Sequence, residues 1–222
     1  MIKLVILDVD GTITDKERII STEAIESIRK VEKDGIIVSL ISGNVIPVMY
    51  ALKIFIGING PVFAENGGVE FDKDISVFFT PDEPKRAFSK LQELGLCDGI
   101  ITNNWRYSSV GCFPKEGKED EIYRVARNFK VTLTDSGFSW HILNIGQNKA
   151  FAISKLMQDF NVRSEEILAC GDSLNDTPMF SLPVVKAVPK NAVNELKILA
   201  DYVSEKNHGE GIADILSRID SF

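Results

Sequence analysis

Two carboxylates two residues apart, Asp8 and Asp10, close an apolar run in the segment KLVILDVDGTITD, Lys3 to Asp15. Acids this near each other repel unless a cation or a proton intervenes, so the pair points to a hard, oxygen-ligated metal or to an acid/base couple. A short β-branched run ending in charge is the pattern of a buried parallel strand whose C-terminal end opens into a loop, where open α/β sheets place their ligands. Taken alone, DVDGT also fits a turn with one capping and one solvated aspartate. What else reaches the same edge decides between these readings.

Three further apolar runs end in small or polar residues. Ile36 to Ile41 is followed by Ser42, Gly43 and Asn44; Pro61 to Ala64 by Glu65, Asn66, Gly67 and Gly68; Ile167 to Cys170 by Gly171, Asp172, Ser173, Leu174, Asn175 and Asp176. Between the run that ends at Asp8 and the one that begins at Ile36, Ser21 is placed to cap a helix carrying Ile25, Ile28 and Val31 at helical spacing, and Gly35 ends it. That is a strand, crossover helix, parallel strand unit. Parallel strands of one sheet bring their polar ends to a single edge. Lys149 opens an amphipathic stretch to Phe160 and can add a fixed cation there. Several carboxylates, one lysine, one serine and glycine-rich backbone form a cradle for Mg²⁺ and a phosphoryl group, with oxygen ligands for the cation and N–H donors for the phosphate.

The texture changes at Thr80 to Pro84, and the core pattern returns at Gly146 to Lys149. Between them the pattern predicts a helix over 84–94, strands over 99–102 and 108–113, a helix over 118–129, and strands over 130–134 and 140–145. The expected architecture is therefore α/β: a core of residues 1–80 and 149–222 with a central parallel sheet flanked by helices, and a smaller α+β unit at 81–148. Later strands are expected over 184–188 and at Tyr202 and Val203, with helices over 191–199 and 211–219. Asn103, Asn104, Arg106 and His141 are polar candidates within the insertion, but nothing in their spacing assigns them a role.

The totals exclude several classes. With 25 Lys plus Arg against 32 Asp plus Glu, the formal charge is -7, and no basic cluster stands out to engage a nucleic-acid backbone. An anionic partner must then be attracted locally, by a few placed cations and a metal. No apolar run approaches the roughly 20 residues that span a bilayer, and the N-terminus begins as a strand without a targeting pattern, so the expected setting is cytoplasmic. Cys97, Cys112 and Cys170 are odd in number and lack a CxxC, which reads as reduced packing residues.

In order, DVDGT at 8–12, Ser42 with Gly43, Lys149, and GDSLND at 171–176 resemble the four motifs of the haloacid dehalogenase superfamily of phosphatases. The position of the insertion is similar to that of the α+β cap in the Cof-type branch. The wider pattern SGNVIPVMYALKIFIGINGPVFAENGG, with Asn44 where many Cof-type members carry Arg, is more similar to the archaeal phosphoglycolate phosphatases than to the sugar-phosphate enzymes. The resemblance implies a Rossmann-like core, an aspartyl-phosphate route with Asp8 as nucleophile and Asp10 as acid/base, and Mg²⁺ held by Asp8, the Asp10 carbonyl, Asp172 and Asp176. It implies phosphate contacts from Ser42, Gly43 and Lys149, with Asn175 orienting Lys149 or Asp8. Gly11 would permit the turn after Asp10, and Thr12 would fix it. The expected partner is a small phosphorylated metabolite and the expected state a monomer or homodimer. Another phosphatase or a phosphomutase, and a non-catalytic binding module, are the competing expectations.

Overall fold

A computed structural model describes residues 1–222. In chain order the regular elements are β1 (Leu4–Leu7), α1 (Thr22–Lys33), β2 (Ile37–Ile41), α2 (Ile46–Ile56), β3 (Val62–Ala64), β4 (Val69–Phe71), β5 (Ile75–Val77), α3 (Asp82–Glu93), β6 (Cys97–Gly99) and β7 (Val110–Pro114). They continue with α4 (Glu119–Ala126), β8 (Val131–Asp135), β9 (Trp140–Asn144), α5 (Lys149–Phe160), β10 (Ile167–Cys170), α6 (Thr177–Phe180), β11 (Val185–Val188), α7 (Asn194–Leu199), β12 (Tyr202–Val203) and α8 (His208–Ser217). No helix is long and apolar enough to cross a membrane.

The larger sheet runs β12-β11-β10-β1-β2-β3-β4-β5. From β12 to β3 every pairing is parallel, and the two hairpin pairings at the β5 edge are antiparallel. β1 is central because both of its faces are apolar. Alternation along the strand sends Val5 and Leu7 to the layer of α1, α2 and α8, and Leu4 and Ile6 to the layer of α5, α6 and α7. A strand buried on both faces cannot sit at an edge. The Ser21 hydroxyl accepts from the Ala24 amide to start α1, and Gly35, at φ 87°, follows its last turn.

The smaller sheet, β6-β7-β9-β8, is antiparallel throughout. Trp140 and Ile142 of β9, with Val110 and Cys112 of β7, pack against Ala87 and Leu91 of α3 and Ile122 of α4. The other face of this sheet turns toward the C-terminal ends of the parallel strands.

One expected strand is shorter than its sequence. Residues 99–102 read as strand, three of the four being β-branched, yet pairing stops at Gly99 and residues 101–105 form a 3₁₀ turn. The Asn103 amide accounts for it: Nδ2 donates to the Gly111 carbonyl at 2.8 Å and Oδ1 accepts from the Gly111 amide at 2.7 Å. A side chain satisfies the ladder groups that a continued strand would have satisfied. The short helix α6 carries no sequence signal strong enough to predict it. All three cysteines are buried and free.

Candidate active site

β1 and β10 pair in register Leu7 with Cys170, which places Asp8 beside Gly171 and Asp172. The Asp8 amide donates to the Cys170 carbonyl at 3.0 Å, extending the ladder one residue before the chain turns. The turn that follows folds back on the Val9 carbonyl, which accepts from the amides of Thr12, Ile13 and Thr14. Gly11 sits at φ 83°, and a Cβ there would lie 2.3 Å from Asp172 Oδ2. Both the backbone hand and the space demand glycine. Gly11→Ala is expected to cost about 1–3 kcal/mol in denaturant unfolding; a loss under about 0.5 kcal/mol would show that the loop relaxes freely.

At the centre lies Lys149, the first residue of α5 and only 1% exposed. Its Nζ donates to Asp8 Oδ1 and to Asp176 Oδ1, both at 2.5 Å. Burial alone would push this lysine down, but the carboxylates of Asp176 and Asp8 outweigh it and hold the ammonium above the usual lysine range. Asp176 Oδ2 accepts from the amides of Asp172 and Ser173, so this side chain also shapes the loop after β10. Burial raises the Asp8 carboxyl well above its ordinary value; Lys149 opposes the rise, and Asp176 and Asp172 add to it. Asp172 is pushed up to about 7, first by burial and then by Asp176.

Carboxylate oxygens of Asp8, Asp172 and Asp176 lie within 4.8 Å of one another. The Thr12 hydroxyl is within hydrogen-bond reach of Asp8 Oδ2 at 3.1 Å and Asp172 Oδ1 at 3.2 Å. Thr12 thus ties two acids together, and the turn itself is fixed by Thr14, whose hydroxyl accepts from the Gly11 amide at 3.0 Å. From the far side, Asn191 Nδ2 and His208 Nδ1 both approach the Gly11 carbonyl at 2.9 Å, and Asn191 also reaches Asp172 Oδ2. These acids are held close together by one ammonium together with hydroxyl, amide and imidazole groups, and their three carboxylates outnumber that cation, an arrangement suited to a divalent cation.

Asp10 faces away from that cluster. Its Oδ1 accepts from Arg18 Nε at 2.7 Å and its Oδ2 from Asn44 Nδ2 at 2.6 Å, while the Ser42 hydroxyl stands 3.5 Å off. The two aspartates that opened the sequence therefore occupy different electrostatic settings. Asn175 is bonded to neither Lys149 nor Asp8: its Nδ2 donates to Asn66 Oδ1 at 3.1 Å, linking the loop after β10 to the one after β3.

Asp8, Asp10, Arg18, Ser42, Gly43 and Asn44 border a cleft whose other wall comes from the smaller sheet, through Arg106, Ser136, Phe138, Ser139 and His141. Contact across the cleft is close at Gly43, where a Cβ would stand 3.0 Å from His141 Nε2. Burial, Arg106 and Lys149 together push His141 down to about 3, so the ring is neutral at physiological pH.

Known proteins resemble this chain over nearly its whole length. The model of the haloacid dehalogenase-like hydrolases matches residues 5–109 and 108–216. The chain belongs to this family of hydrolases. A Thermoplasma volcanium protein named phosphoglycolate phosphatase is 51% identical over 220 residues, covering 98% of each chain. The crystal structure of Thermoplasma acidophilum 0175 superposes with a TM-score of 0.96 at 46% identity, covering 100% of both chains. A subclass IIB haloacid dehalogenase sugar phosphatase, BT4131, shares the fold at TM-score 0.81 and 17% identity, covering 99% of this chain and 100% of that one.

Within this family fold, sequence reasoning passed over several residues that shape the site. Glu65 is fully buried at φ 53°, and its carboxylate accepts from the amides of Tyr107, Ser108 and Ser109 and from the hydroxyls of Ser108 and Ser109. Five donors offset both the burial of the charge and the left-handed backbone. Gln147 Nε2 closes the same corner, donating to the Glu65 carbonyl at 2.7 Å and lying 2.9 Å from the Ser108 hydroxyl. Arg18, at φ 64°, joins Asp10 on one side and lies over the Phe138 ring at 4.8 Å on the other. None of these pairings has a sequence signature: apart from Arg18 with Asp10, which share one loop, each joins residues from separate elements.

Proposed function

We propose that this chain is a Mg²⁺-dependent phosphomonoester hydrolase whose substrate is 2-phosphoglycolate, released as glycolate and phosphate. In this reading residues 1–80 and 149–222 form the catalytic core, residues 81–148 act as a cap over the cleft, and the enzyme works in the cytoplasm. The observation that carries the chemistry is the buried Lys149, shared by Asp8 and Asp176 at 2.5 Å each beside the Asp172 carboxylate. The choice of substrate is supported by the full-length similarity to the Thermoplasma volcanium protein.

A divalent cation fits the donors present. Three carboxylates contribute oxygens to one small volume, two of them with pKa values raised by burial and by the neighbouring acids, and the Asp10 carbonyl is engaged by no protein donor. Asp8, Asp172 and the Asp10 carbonyl would hold the ion. Asp176, whose oxygens already accept from Lys149 and two main-chain amides, adjoins the set. When bound, the ion supplies Lewis-acid stabilisation of the phosphoryl charge.

The protein groups divide the remaining work. The Asp8 carboxylate attacks phosphorus; a bond forms from its oxygen to phosphorus as the ester P–O bond breaks, giving an aspartyl-phosphate. Asp10 gives its proton to the departing glycolate oxygen. It then takes one from the water that attacks the same phosphorus and frees Asp8. Lys149, the Ser42 hydroxyl and the Gly43 amide contact the phosphoryl oxygens, concentrating positive potential in a chain whose net charge of -7 would otherwise repel the substrate. Asn175 supports the cradle through Asn66.

Phosphate release measured across 2-phosphoglycolate, a hexose phosphate and a nucleotide tests this reading, with 2-phosphoglycolate expected to give the highest kcat/KM. Chelation by EDTA is expected to lower the rate at least about 10²-fold. Full activity after chelation would overturn the metal assignment, and preference for another ester the substrate. The metal also has a signature in stability. In the metal-free chain the folded-state pKa of Asp172 lies at about 7, against about 3.9 when unfolded. Its contribution is complete below the unfolded value and is lost as pH rises through the folded one. Mg²⁺ is therefore expected to raise the melting temperature more at pH 8 than at pH 5; equal shifts would contradict this.

A further inference from the structure

The charges of the cleft pair off until one is left. Lys149 is shared by Asp8 and Asp176, and Arg18 is taken by Asp10. Arg106 lines the same cleft and makes no ion pair. Its Nη1 donates to the Ser109 hydroxyl at 3.0 Å and its Nη2 to the Gly43 carbonyl at 3.1 Å, while the enclosed Nε has no partner. A guanidinium has five N–H bonds to place, so three of them have no acceptor in the protein.

The nearest acid does not neutralise it. Glu65 stabilises the Arg106 charge from a distance, yet both Glu65 oxygens are filled by the backbone and hydroxyls of residues 107–109. Ser109 stands between the two, accepting from Arg106 and donating to Glu65 at 2.7 Å, which fixes where the fork points. The other groups on this wall are neutral: Ser136, Ser139, and His141, whose Nδ1 also lacks a partner. Desolvating a cation without a counter-ion is costly, and the cost is recovered when an anion enters.

The direction of the reaction says which anion. In an in-line displacement the leaving oxygen departs opposite the nucleophile. With Asp8 at the strand end, the substituent on that oxygen projects toward the wall that carries Arg106. The phosphoryl group has its own contacts in the core, from Lys149, Ser42 and Gly43. We propose that Arg106 binds the carboxylate of the leaving group, and so makes the site selective for phosphomonoesters of small hydroxy acids. The proposal rests on the phosphomonoesterase reading above and adds the residue that sets its selectivity.

The test compares 2-phosphoglycolate with ethyl phosphate, an ester of the same length with a methyl group in place of the carboxylate. The quantity read is the ratio of their kcat/KM values in the wild type, Arg106→Met and Arg106→Lys. In Arg106→Met the ratio is expected to fall about 100-fold, chiefly through KM for 2-phosphoglycolate, as loss of a charge-assisted fork predicts. Arg106→Lys, which keeps the charge but not the fork, is expected to fall between, and it carries the test if the methionine variant fails to fold. A ratio within about threefold of wild type in both variants overturns the proposal, whether both rates drop, as they would if Arg106 gripped the phosphoryl group, or neither does. If the wild type turns over neither ester, the hydrolase reading fails on its own; calorimetric affinities for the same two compounds then judge Arg106 by the same ratio.

Discussion

Asp8→Asn is expected to lower phosphate release at least about 10⁴-fold while leaving the chain folded. An amide of the same shape fills the space, but it cannot form the acyl-phosphate on which the two-step route depends. The fold tolerates the change for a reason visible in the charges. Asp8 is only 5% exposed, and burial together with Asp176 and Asp172 already strains its ionised form. The substitution removes that strain along with one contact to Lys149, which keeps Asp176 at 2.5 Å. Initial rates with 2-phosphoglycolate, alongside a thermal melt, measure both halves. Residual activity above about 1% of wild type in a well-folded variant would be incompatible with Asp8 as nucleophile.

Lys149→Met is expected to be the most damaging change to stability. Its side chain is 1% exposed and answers two carboxylates at once. Removing one member of a buried ion pair leaves its partner uncompensated, at about 3–5 kcal/mol, and here two partners are left. The sign of the pH dependence separates this account from simple loss of packing. Lys149 opposes the rise of the Asp8 carboxyl, so without the ammonium its folded-state pKa lies still further above that of the unfolded chain. Its contribution to stability is then present at low pH and lost as pH rises through the folded value. The gap between variant and wild type, measured by urea unfolding in EDTA, is expected to be wide at pH 8 and narrower at pH 5. A gap that does not change with pH would mean that Lys149 acts as a filler of space.

The edge where the strand ends converge was legible because its signal is local in sequence: an apolar run that stops at Asp8, another at Ser42, a third at Gly171. Parallel pairing of β1 with β2 and β10 then does the assembling. The expected seam between core and insertion rests on a similar local signal, a change of texture near Thr80. What escaped was everything created by contact across that seam. Glu65 reads in sequence as a polar residue before a glycine turn, and only the structure shows it surrounded by donors from residues 107–109. In sequence Arg106 is one polar residue among several in the insertion, because what distinguishes it is the lack of a carboxylate partner, and partners are a property of three dimensions. Residues 101 and 102 were misread because β-branching predicts strand, while one asparagine side chain, Asn103, replaced the strand's hydrogen bonds. The role expected of Thr12 passed to Thr14 for a comparable reason: both hydroxyls suit the turn, and the choice depends on where Asp172 arrives.

The five donors gathered on Glu65 also decide how the molecule can breathe. They clamp the start of β7, next to which β9 ends, whereas the β8–β9 turn at the opposite end of these strands meets the core through the Arg18–Phe138 stacking contact. Parting the first end would strand a buried carboxylate; parting the second returns a guanidinium and an aromatic ring to water and releases the packing of β8 on residues 174–176. The two halves are thus built like a hinged shell with a fixed pivot at Glu65 and a free lip at Phe138. Traffic in and out of the cleft passes under that lip, beside Asp10, so the residue assigned to protonate the leaving group also stands at the exit.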